Sequence, residues 1–190
     1  KKWGRWYYDT TNIEGFRLDA VKHIRADFFP EWLENIRKER GKNLFAVGEY
    51  WSTSTETIME YLDKTNQTMK LFDVALHYNF FRAAYNNGEF RLNEVFDGTL
   101  VKERPEMAVT FVDNHDTQLG QALESWIPDW FKPLAYSLIL LRKEGIPCVF
   151  YGDYYGIPEK NVTPKNDMLT LLLKLTILVI LTVILVTLII

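Results

Sequence analysis

Gly15-Phe16-Arg17-Leu18-Asp19-Ala20-Val21-Lys22-His23-Ile24 opens as a short apolar strand and places a carboxylate where that strand ends. Arg17 stands two residues before Asp19, so the two-residue period of a strand puts both side chains on one face. A cation beside a carboxylate holds it ionised, the state in which a carboxylate can act as a nucleophile. Read alone, Asp19 is more simply a surface residue capping the next helix. The chain on either side decides between the two.

Downstream, apolar strands and amphipathic helices alternate. A helix is predicted near 27–40, with Asp27 as its cap and Pro30 in its first turn. Its apolar stripe is Phe29, Trp32, Leu33 and Ile36, and Gly41 ends it. Leu44 to Glu49 reads as a second strand, continuous in apolar character as buried parallel strands are. A helix near 54–63, a strand over 71–76, helical material over 78–97 and a strand over 107–112 follow. A helix near 130–144 and a strand over 147–151 complete the series. Upstream, residues 2–9 read as the end of a helix and Asp9-Thr10-Thr11-Asn12 as a turn. Strands that alternate with helices predict an α/β fold with a parallel sheet and right-handed crossovers.

The predicted strand ends deliver three carboxylates: Asp19, Glu49 and Asp116, the last after Asp113-Asn114-His115. The C-terminal ends of strands are where (β/α)₈ barrels and doubly wound sheets build active sites. No glycine-rich phosphate loop follows a strand, which argues against a nucleotide-binding sheet. No Cys/His cluster or nucleophile-elbow serine supports zinc or serine-hydrolase chemistry. Glu49 is followed by Tyr50 and Trp51, and a carboxyl in an apolar, aromatic setting keeps its proton more readily. One protonated acid beside one ionised carboxylate is the pair that glycoside hydrolysis requires. Each group has a plainer reading: Glu49 as a solvated strand end, Asn114-His115-Asp116 as a capping turn.

Composition narrows the setting. The chain has 190 residues, enough for one domain with a real core, and a net charge of -3, without a basic footprint for nucleic acid. Cys148, the one cysteine, lies in an apolar run, reads as a buried thiol and cannot form an internal disulfide. A disulfide-free chain fits the cytoplasm and also fits secreted bacterial enzymes. The first residues, Lys-Lys-Trp, include no initiator Met and no signal peptide, and the chain reads as a fragment.

Three segments together resemble the α-amylase family of glycoside hydrolases, close to the bacterial liquefying and cytoplasmic α-amylases. Residues 15–23 are similar to its nucleophile segment. Val47-Gly48-Glu49-Tyr50-Trp51 resembles its acid/base segment, and Phe111-Val112-Asp113-Asn114-His115-Asp116-Thr117 the segment that holds its third carboxylate. The resemblance implies a partial (β/α)₈ TIM barrel, roughly strands four to eight, over residues 1–167. It implies a retaining endo-hydrolase of α-1,4-glucans with Asp19 as nucleophile, Glu49 as acid and then base, and Asp116 as transition-state stabiliser. Arg17, Lys22, His23, Trp51 and His115 would bind substrate, and the backbone carbonyl of His23 would help hold a structural calcium whose other ligands lie mostly elsewhere. A transglycosylase or α-1,6-acting relative would use the same residues. A noncatalytic amylase-like module of a membrane complex is the reading from another class, and the intact carboxylates argue against it.

Residues 168–190 depart from the family. Leu175 to Ile190 contains only Leu, Ile, Val and Thr. As a helix the sixteen residues span about 24 Å, short of the roughly 30 Å hydrocarbon core of a membrane. Eleven of the sixteen are β-branched, which favours strand and aggregation. The segment reads as low-complexity sequence that is not natural, and no function is built on it.

Overall fold

The computed structural model describes residues 2–156 with the exception of Lys42 and Asn87. The elements run α1 (Lys2–Thr11), β1 (Gly15–Leu18), α2 (Phe28–Arg40), β2 (Phe45–Gly48), α3 (Thr55–Lys64), β3 (Lys70–Phe72) and α4 (Val74–Tyr85). After these come α5 (Leu100–Glu103), β4 (Ala108–Phe111), α6 (Lys132–Leu140), β5 (Ile146–Cys148) and α7 (Tyr151–Tyr155). Short 3₁₀ turns lie at Val21–His23, Leu92–Glu94 and Pro105–Met107. The five strands make one sheet in the order β1-β2-β3-β4-β5, parallel from β1 through β4. Strands in chain order, joined by helices, are the arrangement of part of a (β/α)₈ barrel, as the sequence predicts. The described residues form two compact units, one within 2–75 and 96–109, the other within 76–95 and 110–156.

In the first unit α2 buries the predicted stripe of Phe29, Trp32, Leu33 and Ile36. Each such side chain contributes about 1.5–3 kcal/mol by leaving water. Phe16 meets the Trp32 ring edge-on at 4.9 Å, which docks α2 on β1. Gly41, at φ 61°, closes the helix in the left-handed region, and its N–H bonds back to the Arg37 carbonyl. Pairing of β1 with β2 sets Gly15 opposite Phe45 and Leu18 opposite Gly48, so both strands end level and Asp19 and Glu49 leave the sheet side by side.

Strand β5 covers 146–148 rather than 147–151, and α4 covers 74–85 where helical material is expected over 78–97. Four further expectations need correction. Strand β3 covers 70–72 rather than 71–76, because Asp73 turns the chain. Its backbone N–H reaches the Val109 carbonyl at 2.9 Å, and its carboxylate accepts the N–H groups of Leu100 (3.1 Å) and Val101 (2.8 Å) at the start of α5. Asp27 precedes α2 without capping it, since its carboxylate is taken by Arg25. Helix α6 is shorter than predicted, 132–140. Cys148 is half-buried rather than buried. The segment 168–190 lies outside the described residues. Among the described residues, no helix is long and apolar enough to cross a membrane.

Candidate active site

Three side chains meet at the ends of β1 and β2. The Arg17 guanidinium donates from Nη1 to Asp19 Oδ1 at 2.6 Å, and its Nη2 stands 3.4 Å from Glu49 Oε2. The strand period thus puts Arg17 beside Asp19 as predicted, and the parallel register brings Glu49 to the same fork. The two carboxylates differ in access. The Asp19 side chain is 73% exposed and that of Glu49 9%. Expected in apolar and aromatic surroundings, Glu49 instead has a polar contact on each side of one oxygen: Oε2 also accepts the Ala20 backbone N–H at 3.0 Å.

Ala20 makes that bond from the left-handed region, at φ 46° and ψ 43°. A residue with a Cβ held there costs on the order of 1–3 kcal/mol and persists only where its surroundings fix it. Here the fixing bonds are local. The Glu49 N–H donates to the Leu18 carbonyl at 2.8 Å, and the Val21 N–H to the Glu49 carbonyl at 3.0 Å. The two strand ends are thereby cross-tied through backbone as well as side chains. Tyr61 of α3 lies behind them, its hydroxyl 3.4 Å from the Val21 carbonyl and its ring 4.8 Å from that of Tyr50. Burial pushes the Tyr61 phenol up to about 12, so it acts as a donor at any working pH.

Lys22 joins the two motif segments directly: its ammonium donates to the Trp51 carbonyl at 3.0 Å, and both residues remain at least partly accessible. His23 is exposed at the end of the 3₁₀ turn. Calcium takes six to eight oxygens. Among the described residues no group of three or more His, Cys, Asp or Glu could hold a metal ion, so side chains of these types do not complete a calcium site around the His23 carbonyl.

In the second unit His115 and Asp116 follow β4. Their side chains are 59% and 34% exposed, with Nε2 of His115 3.4 Å from Asp116 Oδ2. The turn is built by Asn114, whose Oδ1 accepts the N–H groups of Asp116 (2.9 Å) and Thr117 (3.0 Å). The capping reading of this segment and the functional one are therefore compatible, because the Asn114 side chain makes the turn and the Asp116 carboxylate stays partly exposed. Beneath it lies a group the sequence reading passed over. Asp113, buried, accepts from the Thr117 hydroxyl at 2.8 Å and the Ile127 N–H at 3.2 Å, and pairs with the Lys132 ammonium at 3.1 Å. Lys132 also pairs with Asp153, which accepts from the Tyr136 hydroxyl at 2.6 Å. Burial pushes both Asp113 and Asp153 upward. A lysine opening the otherwise uncharged helix Lys132-Pro133-Leu134-Ala135-Tyr136-Ser137-Leu138-Ile139-Leu140 was the available signal.

The chain's likeness to known proteins agrees with this geometry. The family model described as "Alpha amylase, catalytic domain" matches residues 1–174. An α-amylase of Geobacillus stearothermophilus is 59% identical over 162 residues, covering 85% of this chain and 30% of that protein. The cytoplasmic α-amylase of Escherichia coli is 47% identical over 162 residues, covering 85% and 33%. This chain thus spans about a third of the length of these relatives. The crystal structure of an Anoxybacillus α-amylase superposes with a TM-score of 0.70 at 22% identity, over 93% of this chain and 42% of that one, which bears on the fold. With three motif segments at strand ends, a parallel sheet in barrel order and a family match over most of its length, the chain belongs to the α-amylase catalytic-domain family of glycoside hydrolases.

Proposed function

We propose that this chain carries the catalytic carboxylates of a retaining α-amylase that cleaves α-1,4-glucosidic bonds within starch- or glycogen-type glucans. The observation that carries the reading is the single Arg17 guanidinium held between Asp19 and Glu49 at adjacent strand ends. One fork between two carboxylates keeps them close, and retaining pairs stand about 5–5.5 Å apart. The exposed Asp19 attacks the anomeric carbon while Glu49 protonates the departing glycosidic oxygen. Water then attacks the anomeric carbon while Glu49 takes its proton; the new carbon–oxygen bond forms as the bond from sugar to Asp19 breaks, which frees the carboxylate. Asp116 stabilises the oxocarbenium-like transition state, and His115 hydrogen-bonds the sugar beside it. Trp51, Lys22 and His23 contact the glucan, with Lys22 also fixing the Trp51 backbone. The His23 carbonyl enters this reading as one donor to a calcium site that other residues complete.

In the natural full-length protein, Asp19→Asn and Glu49→Gln should each abolish nearly all hydrolysis while glucan binding persists. Each change removes a nucleophile or a transferable proton and little contact surface. Near-normal turnover by the Asp19→Asn protein would sink the assignment. The product of starch digestion should keep the α configuration at the new reducing end. Release of sugar from an α-1,6-linked oligosaccharide but not from starch would move the chain to a different linkage within the family.

A further inference from the structure

The turn that bears Asp116 is tied to the interior by an unbroken series of hydrogen bonds, all within the second unit. Its deep end is the Lys132 ammonium, fully buried. Two of its directions are taken by the Asp113 and Asp153 carboxylates, and the face of the Trp126 ring has its centroid 3.0 Å away. Asp153 is held in turn by the Tyr136 hydroxyl, and that hydroxyl accepts the Phe150 N–H at 3.3 Å. Asp113 is therefore a fixed point, clamped by Lys132 on one side and the Ile127 N–H on the other.

From that point the series runs outward through Thr117. Its hydroxyl donates to Asp113 Oδ1 at 2.8 Å and accepts the Asn114 N–H at 3.0 Å. Asn114 Oδ1 then accepts the N–H of Asp116 at 2.9 Å. The Thr117 and Asp116 carbonyls are bound from the far side by the N–H groups of Ser125 (3.0 Å) and Leu123 (3.2 Å). Thr117 is completely buried, whereas the Asp116 side chain is about a third exposed. Asp116 lies on a loop, and these bonds from below fix the backbone that carries it.

We propose that Thr117 is a positioning residue for Asp116, its hydroxyl transmitting the fixed place of the Asp113–Lys132 pair to the turn. This rests on the reading of Asp116 as a catalytic group. The hydroxyl is the one link in the series that an isosteric change removes without unpairing a buried charge, because Asp113 keeps Lys132 and the Ile127 N–H.

The test is made in the full-length protein with soluble starch. Thr117→Val removes the hydroxyl and keeps the shape; Thr117→Ser keeps the hydroxyl. The Val variant should lose about tenfold to a hundredfold in kcat, the scale of a small misplacement at a reacting centre, with KM little changed. The Ser variant should recover most of kcat. Wild-type kcat in the Val variant, or equal losses in Val and Ser variants, would overturn the proposal. If Thr117→Val does not fold, Asn114→Ala and Asn114→Asp repeat the comparison nearer the surface: Ala removes the acceptor for the Asp116 N–H and Asp keeps one. A normal kcat for Asn114→Ala would equally overturn it. Asp116→Asn separates the two claims. Should that variant stay active, the catalytic reading of Asp116 fails whatever Thr117 does; should it be inactive while Thr117→Val is normal, only the positioning role fails.

Discussion

His77 is held between the Val112 carbonyl, 2.6 Å from Nδ1, and the Ser125 hydroxyl, 2.8 Å from Nε2, and it stacks on Phe111 at 5.3 Å. Burial pushes its imidazole down from 6.5 to about 4, with Lys132 adding to the effect. A folded-state value below the unfolded one means stability present above 6.5 and lost as pH falls toward 4, where the unfolded chain binds the proton first. Asp113 has the opposite sign: its value is raised from 3.8, so its contribution is greatest in acid and is lost as pH rises. The two slopes oppose each other below 6.5. Replacing His77 with Gln should expose this. Between pH 6.5 and 4 the unmodified protein should lose roughly 3 kcal/mol relative to the His77→Gln variant, read from urea midpoints at each pH. A difference that stays constant across that range would contradict the assignment. Asp19 and Glu49 were legible in the sequence because each ends an apolar run, with Arg17 a fixed two residues from Asp19. The Asp113 cluster was not legible, since Lys132 meets Asp113 and Asp153 only through the fold.

Elements were legible where periodicity was strong. The stripe of α2 and its closing Gly41 are where the spacing puts them. The end of β3 was misread because apolar residues stand on both sides of Asp73, from Leu71 to Leu76, and pattern alone does not separate a buried strand from a buried helix. The hydrogen bonds of Asp73 decide it, and their partners lie at 100, 101 and 109. Pairing of β1 with β2 depends on a residue whose role sequence does not announce. A Cβ on Gly15 would lie 2.6 Å from the Phe45 carbonyl oxygen and 2.9 Å from the Phe45 Cβ, and that oxygen is backbone and cannot swing aside. Gly15→Ala should therefore destabilise by about 1–3 kcal/mol and loosen the strand leading to Asp19. A denaturation midpoint equal to that of the unmodified protein would show that the strands separate without cost.

The whole sheet was legible in outline, because alternating strands and helices admit few parallel topologies. Among the described residues its first strand, β1, is paired on one side only, with β2. A (β/α)₈ barrel is filled by layers of side chains drawn from all its strands. The 190-residue chain purified by itself should accordingly hydrolyse starch far more slowly than a whole relative; a monomer working at a whole enzyme's rate would refute this. Sheet order that repeats chain order also governs timing. Each strand's neighbour is the one synthesised just before it, with about thirty residues between Gly15 and Phe45. A ribosome adds that many residues in roughly two to six seconds, far longer than closing so short a loop takes. The sheet can thus grow strand by strand at the pace of translation, each new strand emerging to find its template already waiting.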